Sequence, residues 1–267
     1  MNLILIASNP ALAKLAVESG VDRIMIDLEV HGKHERQGHL NSWISTHKVD
    51  DISIVRSAIP CSTVIVRINP IHDGSSQEIE NVILLGADII MLPMFTTSSE
   101  VSRFINYVDK RAKCCLLLET APALVRIHEI LDIPGIDEVH IGLNDLHLDL
   151  RLDFMFEILS GGVIDYLANI LSSKGIYFGF GGVGPIDKGI LKSNLILSEH
   201  IRLNSNQVIL SRDFVKNLDM SDSSSRFDFV QEVYKTRQYI NSLSSSSDVE
   251  LRKKSLELRA VVANLIK

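Results

Sequence analysis

The sequence predicts a (β/α)8 barrel, an α/β fold, followed by a C-terminal helical extension. Short apolar runs alternate with amphipathic stretches about eight times, as in the strand–helix units of such a barrel. Most apolar runs are nearly continuous, which is typical of parallel strands covered on both faces. The chain has 267 residues, and barrels of about 250 residues commonly form one domain. An open doubly wound sheet is the alternative, because alternation alone does not show closure.

The strands and helices are placed by these runs and by capping residues. Strands are predicted at Leu3–Ser8, Arg23–Glu29, Thr63–Ile68, Ile89–Pro93, Cys114–Thr120, Glu138–Leu143, Ile176–Gly182 and Gln207–Arg212. Helices are predicted between them at Ala11–Ser19, Asp51–Ala58, Gln77–Leu85, Ser98–Val108, Ala123–Leu131 and Phe154–Ser172. Asn9 before Pro10 is a typical helix start, as is the polar run before Glu100.

A polar break near Ser221 divides the chain into a barrel, residues 1–221, and a helical extension, residues 222–267. The extension is predicted to form two helices, Phe227–Leu243 and Val249–Ile266. They are not needed to complete eight strands, so they either pack on the barrel or reach a second subunit. We expect a homo-oligomer in which these helices contribute to the interface. Their apolar residues recur at helical spacing: Phe227, Val230, Val233, Tyr234, Val249, Leu251, Leu256, Leu258, Val262 and Leu265.

Composition excludes several classes of protein. The formal net charge is −6, so the basic excess expected of a nucleic-acid-binding protein is missing. No apolar run approaches the roughly 18 residues of a membrane span. A secretory signal has a basic segment before its apolar run, and no such segment precedes the first apolar run here. Two of the three cysteines are adjacent, which does not suggest a disulfide framework. We expect a cytoplasmic protein with reduced thiols and no membrane or nucleic-acid partner.

Charged residues follow several of the predicted strands. Asp27 and Glu29 end the second strand, Arg67 lies near the end of the third, Glu119 ends the fifth, and Asp145 follows the sixth. The carboxyl ends of barrel strands face the reaction site, so these side chains are expected at one rim. Mg²⁺ and Mn²⁺ prefer carboxylate oxygens. Because Glu119 and Asp145 come from successive strands, their carboxylates could share one ion.

The strand ends also carry short motifs in a recognisable order. The stretches GVDRIMIDLE, VIVRIN, GADIIMLPM, LLLET and VHIGLNDL follow one another over about the first 150 residues. This ordered set resembles the HpcH/HpaI aldolase and citrate lyase β-subunit family. That family comprises class II 2-oxo-acid aldolases and acyl-CoA lyases of the pyruvate/phosphoenolpyruvate barrel superfamily. The second half of the chain, with GIYFGFGG and VILSRDF, resembles the family's last strands more loosely.

The resemblance implies a role for each matching residue. Glu119 and Asp145 would bind a divalent cation, either Mg²⁺ or Mn²⁺ or another of that charge. Arg67 would hold the 2-oxo or enolate oxygen of the substrate. Asp27 and Glu29 would form an acidic pair near the water ligands of the metal.

The resemblance also implies a carboxylate-binding segment and an activity. The backbone N–H groups around Gly142, Leu143 and Asn144 would receive the substrate carboxylate. The activity would be that of a metal-dependent aldolase, a carbon–carbon lyase that cleaves or forms 2-oxo acids through a pyruvate-type enolate. A Lewis-acidic cation and the permanently charged Arg67 would both stabilise the enolate oxygen. The alternative for Arg67 is a structural ion pair with the acids of the second strand.

The segment after the second strand departs from the family pattern. In the aldolase branch a histidine directly follows the glutamate of this motif and serves the acid/base step. Here Val30 occupies that position, and His31 comes next. The lyase branch has DLED and a basic loop, whereas DLEVHGKHERQGH combines features of both branches. We therefore take His31 as the first candidate for the catalytic base, ahead of His34 and then His47.

Two alternatives to a 2-oxo-acid aldolase stay open. One is an acyl-CoA lyase or thioesterase of the citrate lyase β-subunit type, which needs a basic surface for the CoA nucleotide. Lys33, Arg36, Lys48 and Arg56 are the candidates for that surface. The other alternative is a non-catalytic barrel that serves as a scaffold or sensor, which the unusual EVHGKHE segment and the long extension favour.

Three further signals have structural interpretations. His31, His34 and His39 lack the spacing of a zinc site. The run GFGGVG satisfies G-x-G-x-x-G, but Pro185 follows it and the strand is the seventh. A loop that lets a substrate anion approach the backbone is therefore favoured over a dinucleotide site. His140 is expected to pack in or near the barrel wall.

Overall fold

The computed structural model describes residues 1–30 and 47–266, and in it eight parallel strands form a closed barrel. Each strand pairs with the next, and the last pairs with the first, where Leu3 lies opposite Val208. The predicted barrel is confirmed, and the alternative of an open sheet is wrong. The strands are β1 Asn2–Ile6, β2 Arg23–Asp27, β3 Thr63–Arg67, β4 Ile89–Leu92, β5 Lys113–Leu118, β6 Glu138–Ile141, β7 Tyr177–Val183 and β8 Gln207–Leu210.

The helices surround this barrel. Within the described residues they are α1 Pro10–Glu18, α2 Asp51–Ala58, α3 Ser75–Leu84, α4 Ser98–Val108, α5 Ala121–Val125, α6 Ile127–Leu131, α7 Leu143–Asp149, α8 Glu157–Ser160, α9 Val163–Ser173, α10 Ser193–Arg202, α11 Ser223–Leu243 and α12 Asp248–Leu265. A short 3-10 turn at Arg212–Phe214 follows β8. No helix in the described part of the chain is both long and apolar enough to cross a membrane.

The strands separate two apolar layers, which explains their continuous hydrophobicity. In β2, Ile24 and Ile26 belong to the large core shared with the helices, whereas Met25 belongs to a smaller cluster inside the barrel. Alternate residues of a strand point to opposite faces, so Arg23 and Asp27 share the inward face with Met25. The inward face is thus polar at both ends of the barrel and apolar in its middle.

Two of the predicted helices are each divided into two shorter helices in the structure. The stretch predicted as one helix from Phe154 is divided into α8 and α9, because Gly162 adopts a left-handed conformation with φ of 87°. The stretch predicted as Ala123–Leu131 is divided at Arg126, whose guanidinium donates to the carbonyl oxygen of Thr96 at 2.9 Å.

Two helices have no counterpart in the sequence prediction. Helix α7 starts directly after Gly142, where the prediction extended the sixth strand to Leu143. Helix α10 is buried along most of its length, including the polar residues Glu199 and His200. It packs against α11 and α12 as well as β7, so its polar residues do not form the solvent-exposed face of an amphipathic surface helix.

The two C-terminal helices pack on the chain's own barrel. Helix α11 follows β8, and its Arg237 donates to the carbonyl oxygens of Met1 at 2.8 Å and of Gly20 at 2.9 Å. Helix α12 lies against α10 and α8. The apolar residues predicted for an interface include a set that is buried against the barrel and its helices and a set that is exposed. Val233, Leu251, Leu258 and Val262 are buried here, whereas Phe227, Tyr234, Val249, Leu256 and Leu265 are exposed.

The amino end of the barrel is filled by a buried polar cluster. The Arg23 guanidinium donates through Nη1 to Glu138 Oε2 at 2.7 Å and to Gln207 Oε1 at 2.8 Å. The same guanidinium lies 5.3 Å from the centre of the Tyr177 ring. One arginine and one carboxylate neutralise each other there, a pattern typical of structural pairs.

Candidate active site

The carboxyl ends of the strands bring the predicted site residues together around Arg67. Arg67 lies opposite Asp27 in the pairing of β2 with β3. Its guanidinium makes a two-pronged pair with Asp27, with Nε–Oδ1 and Nη2–Oδ2 distances of 2.8 Å. Nη1 lies 3.3 Å from Glu29 Oε2. Arg67 therefore forms the structural ion pair given above as an alternative, and it also lines a cavity.

The charge of Arg67 is strongly fixed by these neighbours. Burial lowers its pKa, but Asp27, Glu29 and Glu119 outweigh that effect, and the net pKa is raised above its usual value. The planar guanidinium is thus a permanent cation with an orientation set by Asp27. It can face an oxygen on which negative charge develops.

Glu119 follows β5 and is only 2% exposed. Its Oε1 accepts a hydrogen bond from the Met94 N–H at 3.2 Å. Met94 follows β4 with a φ of 53°, an unusual left-handed conformation for a residue with a side chain. The backbone after β4 therefore turns an amide towards the carboxylate.

The protonation of Glu119 is shifted by its surroundings. Burial raises its pKa to about 8, with Asp145 and Glu29 adding to the rise, while Arg67 and the Met94 amide oppose it. Asp145, in the first turn of α7, is one of these like-charged neighbours. Carboxylates held so close together are stabilised as anions when a cation lies between them.

Gly142 leaves the space that this carboxylate occupies. A Cβ atom at position 142 would lie 2.8 Å from Glu119 Oε2 and 2.9 Å from Glu119 Cβ. The Gly142 N–H donates to the carbonyl oxygen of Leu118 at 2.9 Å, so it is already used within the sheet. Leu143 and Asn144 begin α7, where the first N–H groups have no partner within the helix. Of the three amides expected to bind a substrate carboxylate, that of Gly142 is thus already used.

A cavity of about 500 Å³ opens above these residues. Its floor is apolar and its rim is polar. The floor consists of barrel residues Leu5, Ile6, Met25, Met91, Leu117 and Ile209, and the rim includes Arg67, Glu119, Asn144, Asp145, Ser211, Arg212 and Asp213. A small anion could reach the polar groups while its carbon skeleton contacts the floor.

Arg212 and His140 line the cavity, although the sequence analysis gave neither of them a catalytic or binding role. Arg212 lines the rim from the turn after β8. His140 lines the cavity wall, and its Nε2 lies 3.0 Å from the carbonyl oxygen of Gly181. The prediction that His140 packs at the barrel wall agrees with its 1% exposure. His140 lies two residues after Glu138, the acid of the buried pair, and so shares its inward face.

Of the three candidates for the catalytic base, only His47 lies among the residues that the structure describes. His31 and His34 lie outside the described residues, as do His39 of the zinc alternative and Lys33 and Arg36 of the CoA alternative. His47 is described, and its Nδ1 accepts a hydrogen bond from the Asp27 N–H at 3.0 Å. This third candidate therefore contacts the end of β2.

The donor set fits a hard divalent cation. Within residues 1–30 and 47–266 no three His, Cys, Asp or Glu side chains form a ready metal cage. Glu119 and Asp145 nevertheless offer carboxylate oxygens, and burial, with Asp145 and Glu29 adding to its effect, raises the pKa of Glu119, so a cation bound here would favour its charged form. Two protein ligands leave positions for water and substrate, which suits Mg²⁺ or Mn²⁺.

Known proteins share parts of this chain. A 4-hydroxy-2-oxovalerate aldolase from Novosphingobium aromaticivorans is 28% identical over an alignment of 167 positions, and the match covers 52% of this chain. The chain spans only 58% of the length of that relative.

Solved structures share the barrel fold. An HpcH/HpaI aldolase from Desulfitobacterium hafniense superposes with a TM-score of 0.62 at 15% identity, over 79% of this chain and 85% of that one. An HpcH/HpaI aldolase/citrate lyase family protein from Burkholderia cenocepacia gives 0.60 at 14% identity, over 91% and 95% of the two chains. Residues 2–155, more than half of the sequence, match the family described as HpcH/HpaI aldolase/citrate lyase, and the chain belongs to that family.

Proposed function

We propose that the protein is a class II aldolase, a divalent-metal-dependent carbon–carbon lyase that cleaves or forms 2-oxo acids through a pyruvate-type enolate. The observation that carries the proposal is the buried carboxyl of Glu119 beside Asp145 and Arg67 at one cavity. When bound there, Mg²⁺ or Mn²⁺ supplies Lewis-acid stabilisation of charge on the 2-oxo oxygen. The 4-hydroxy-2-oxovalerate aldolase similarity supports the reaction class.

The chain's own residues divide the remaining work. Arg67, oriented by Asp27, faces the 2-oxo oxygen and stabilises the enolate charge that appears when the carbon–carbon bond breaks. The N–H groups of Leu143 and Asn144 bind the substrate carboxylate. The apolar floor of the cavity excludes water from the carbon that becomes nucleophilic. His31 is our first candidate for the base that moves the proton.

The test uses decarboxylation of oxaloacetate, which passes through the same pyruvate enolate. We expect Mg²⁺- or Mn²⁺-dependent turnover that Glu119→Ala and Asp145→Ala abolish. Arg67→Lys should retain the metal but lose rate, because an ammonium cannot reproduce the planar fork. Glu257→Ala, on the exposed face of α12, is the matched control and should behave as wild type.

Metal binding is measured separately by calorimetry with Mn²⁺. Undiminished binding in both Glu119→Ala and Asp145→Ala would contradict the site. Turnover of acyl-CoA thioesters but never of free 2-oxo acids would indicate the lyase or thioesterase alternative. Arg56 is one of the basic residues expected to bind the CoA nucleotide in that alternative. Its guanidinium already donates to the carbonyl oxygens of Ser62 and Gly86, which weakens the alternative. Absence of any turnover together with metal binding would favour a scaffold.

We also propose that the protein forms a homo-oligomer through α11 and α12. The side chains that support this are the exposed Phe227, Tyr234, Val249 and Leu256, which are 54–77% accessible. Light scattering at micromolar concentration should give a mass of at least two chains.

A further inference from the structure

We propose that Thr120 is a positioning residue for Glu119, the proposed metal ligand, and that it acts through the backbone of Phe95 and Met94. This inference rests on the proposed aldolase function and deepens it, since it names what holds one ligand of the cation in place. Thr120 directly follows Glu119 at the end of β5 and is 3% exposed. It is not among the described residues that line the cavity, so it acts on the site through its neighbours.

Two hydrogen bonds run in opposite directions between the segment after β4 and the segment after β5. The Met94 N–H donates to Glu119 Oε1 at 3.2 Å. The Thr120 hydroxyl donates to the carbonyl oxygen of Phe95 at 2.8 Å, and this bond is buried. Each segment thus supplies one donor and one acceptor from adjacent residues. The position of the Met94 amide is therefore coupled to the Thr120 side chain.

The conformation of Met94 needs support from its surroundings. Its φ of 53° lies in the left-handed region, which residues with a side chain rarely adopt. Such residues persist where neighbouring contacts hold them, and they concentrate at functional sites. The φ angle sets the direction of the Met94 N–H relative to Phe95. With Phe95 held by Thr120, the N–H points at Glu119 only while Met94 stays left-handed.

The residues that follow Phe95 are held by separate contacts. Arg126 donates to the carbonyl oxygen of Thr96 at 2.9 Å. Glu100 Oε2 accepts from the N–H groups of Thr96 and Thr97 at 2.8 and 2.9 Å, which fixes the start of α4. Loss of the Thr120 hydroxyl should therefore release Met94 while the start of α4 stays in place.

The two carboxylate oxygens of Glu119 have different neighbours as a result. Oε1 is bonded on the β4 side by Met94. Oε2 lies on the β6 side, since a Cβ atom at Gly142 would be 2.8 Å from it. Helix α7, which carries Asp145, begins directly after Gly142. Holding Oε1 thus directs Oε2 towards the element that bears the other acid, as a cation shared by both acids requires.

The experiment compares Thr120→Val with Thr120→Ser, because valine has nearly the shape of threonine without the hydroxyl and serine keeps the hydroxyl. We expect Thr120→Val to weaken Mn²⁺ binding by about tenfold, measured by calorimetry, because groups that orient a metal ligand have effects of this size. Hydrogen–deuterium exchange at the Met94 amide should become about tenfold faster in the metal-free variant. Thr120→Ser should resemble wild type in both measurements.

A second buried threonine provides the matched control. Thr236 is 0% exposed, and its hydroxyl also donates to a backbone carbonyl, that of Glu232 in α11, at 2.8 Å. Thr236→Val should lower the free energy of unfolding but leave Mn²⁺ binding unchanged. The control is needed because the Thr120 hydroxyl also accepts from the Ala123 N–H at 3.2 Å, at the start of α5. Loss of stability and loss of positioning are thus measured separately.

Substitutions of Met94 test the same coupling while Thr120 is kept. Glycine adopts the left-handed conformation without strain, whereas a β-branched valine is disfavoured there. Met94→Val should therefore weaken Mn²⁺ binding and Met94→Gly should not. Thr120→Val should also weaken binding less when combined with Met94→Gly than when alone. Lys110, with a φ of 57° between α4 and β5, provides the control, since Lys110→Val introduces the same strain away from Glu119.

The outcomes separate this inference from the function on which it rests. Wild-type protein that binds no Mn²⁺ would overturn both. Binding that is the same in Thr120→Val as in wild type, or that falls equally in Thr236→Val, would overturn the role of Thr120 and leave the aldolase function standing. Weaker binding with unchanged exchange at Met94 would overturn the route through the backbone. If Thr120→Val does not fold, equal Mn²⁺ affinities of Met94→Val and Met94→Gly would overturn the inference, and weaker binding in Met94→Val alone would support it.

Discussion

The two ends of the barrel each hold a buried arginine among acids, but the two arrangements differ in charge and in access. At the amino end, Arg23 faces the carboxylate of Glu138 and an amide, and side chains fill the space. At the carboxyl end, Arg67 faces three acids among the residues that the structure describes, Asp27, Glu29 and Glu119, and a cavity of about 500 Å³ adjoins them.

This difference shows that the same residue types form a closed, balanced pair at one end and line an open cavity at the other. A balanced pair needs nothing further, whereas an excess of buried carboxyls is tolerated only if a cation or protons compensate for it. Burial, with Asp145 and Glu29 adding to its effect, raises the pKa of Glu119 to about 8. The carboxyl end, where barrel enzymes generally place catalysis, is thus the end at which a bound cation would favour the charged form of a buried acid.

The largest expected effect separates the two ends by stability. Glu138→Gln should lower the free energy of unfolding by about 3 kcal/mol, because it leaves the buried charge of Arg23 without its counterion. Glu119→Gln, in the presence of a chelator, should change it by less than about 1 kcal/mol, because a neutral amide replaces a carboxyl whose charged form is already disfavoured. Urea denaturation at pH 7 measures the free energy of unfolding of both variants. Equal losses in the two variants would show that the ends do not differ in this way.

A smaller effect concerns pH at the carboxyl end. The folded-state pKa of His140 is lowered to about 4 by burial, below its usual value of 6.5, so the unfolded chain binds this proton more readily. Its contribution to stability is complete above about pH 6.5 and is lost as the pH falls towards 4. Between pH 7 and 5 the loss should be about 2 kcal/mol.

The measurement is urea denaturation of wild type and His140→Phe at both pH values. The variant should show the shallower dependence on pH, whatever its stability at pH 7. Identical slopes would mean that His140 is not held as a neutral buried ring.

The smallest effect compares two glycines. A Cβ atom at Gly142 would contact Glu119, so Gly142→Ala should weaken Mn²⁺ binding by about tenfold through displacement of a ligand. A Cβ atom at Gly179 would lie 2.2 Å from the backbone oxygen of Gln207, at the amino end. Gly179→Ala should therefore lower thermal stability while the folded protein binds Mn²⁺ normally. Weakened Mn²⁺ binding in Gly179→Ala, with lower thermal stability only in Gly142→Ala, would contradict this prediction. Metal binding would then not depend on the carboxyl end of the barrel.

The fold and the charged rim could be predicted because they depend on local patterns. Apolar runs of strand length predict the eight strands, and the charged residues at their ends place Glu119, Asp145 and Arg67 at one rim without any knowledge of distances. The ion pair of Arg67 with Asp27 depends on the register of two strands, which the sequence does not show. For that reason the sequence analysis left the role of Arg67 open between substrate binding and a structural ion pair.

Other features depended on tertiary structure that no local pattern records. Because both faces of every strand are buried, periodicity does not reveal which residues point inward, and the position of His140 in the cavity was missed for that reason. Helix α10 was missed because α12 covers its outer side. The use of the Gly142 N–H by Leu118 follows from sheet pairing, which sequence reasoning did not consider.

The contact of Arg237 with the carbonyl oxygen of Met1 has a consequence for biosynthesis. Both this contact and the pairing of β1 with β8 join the first residues to segments made more than 200 positions later. During translation, β1 therefore waits with one edge unpaired until most of the chain has left the ribosome. A nascent chain truncated after residue 155 would hold six strands and no means of closing them. Synthesis of β8 thus decides when the site forms, although all of its predicted residues lie at or before position 145.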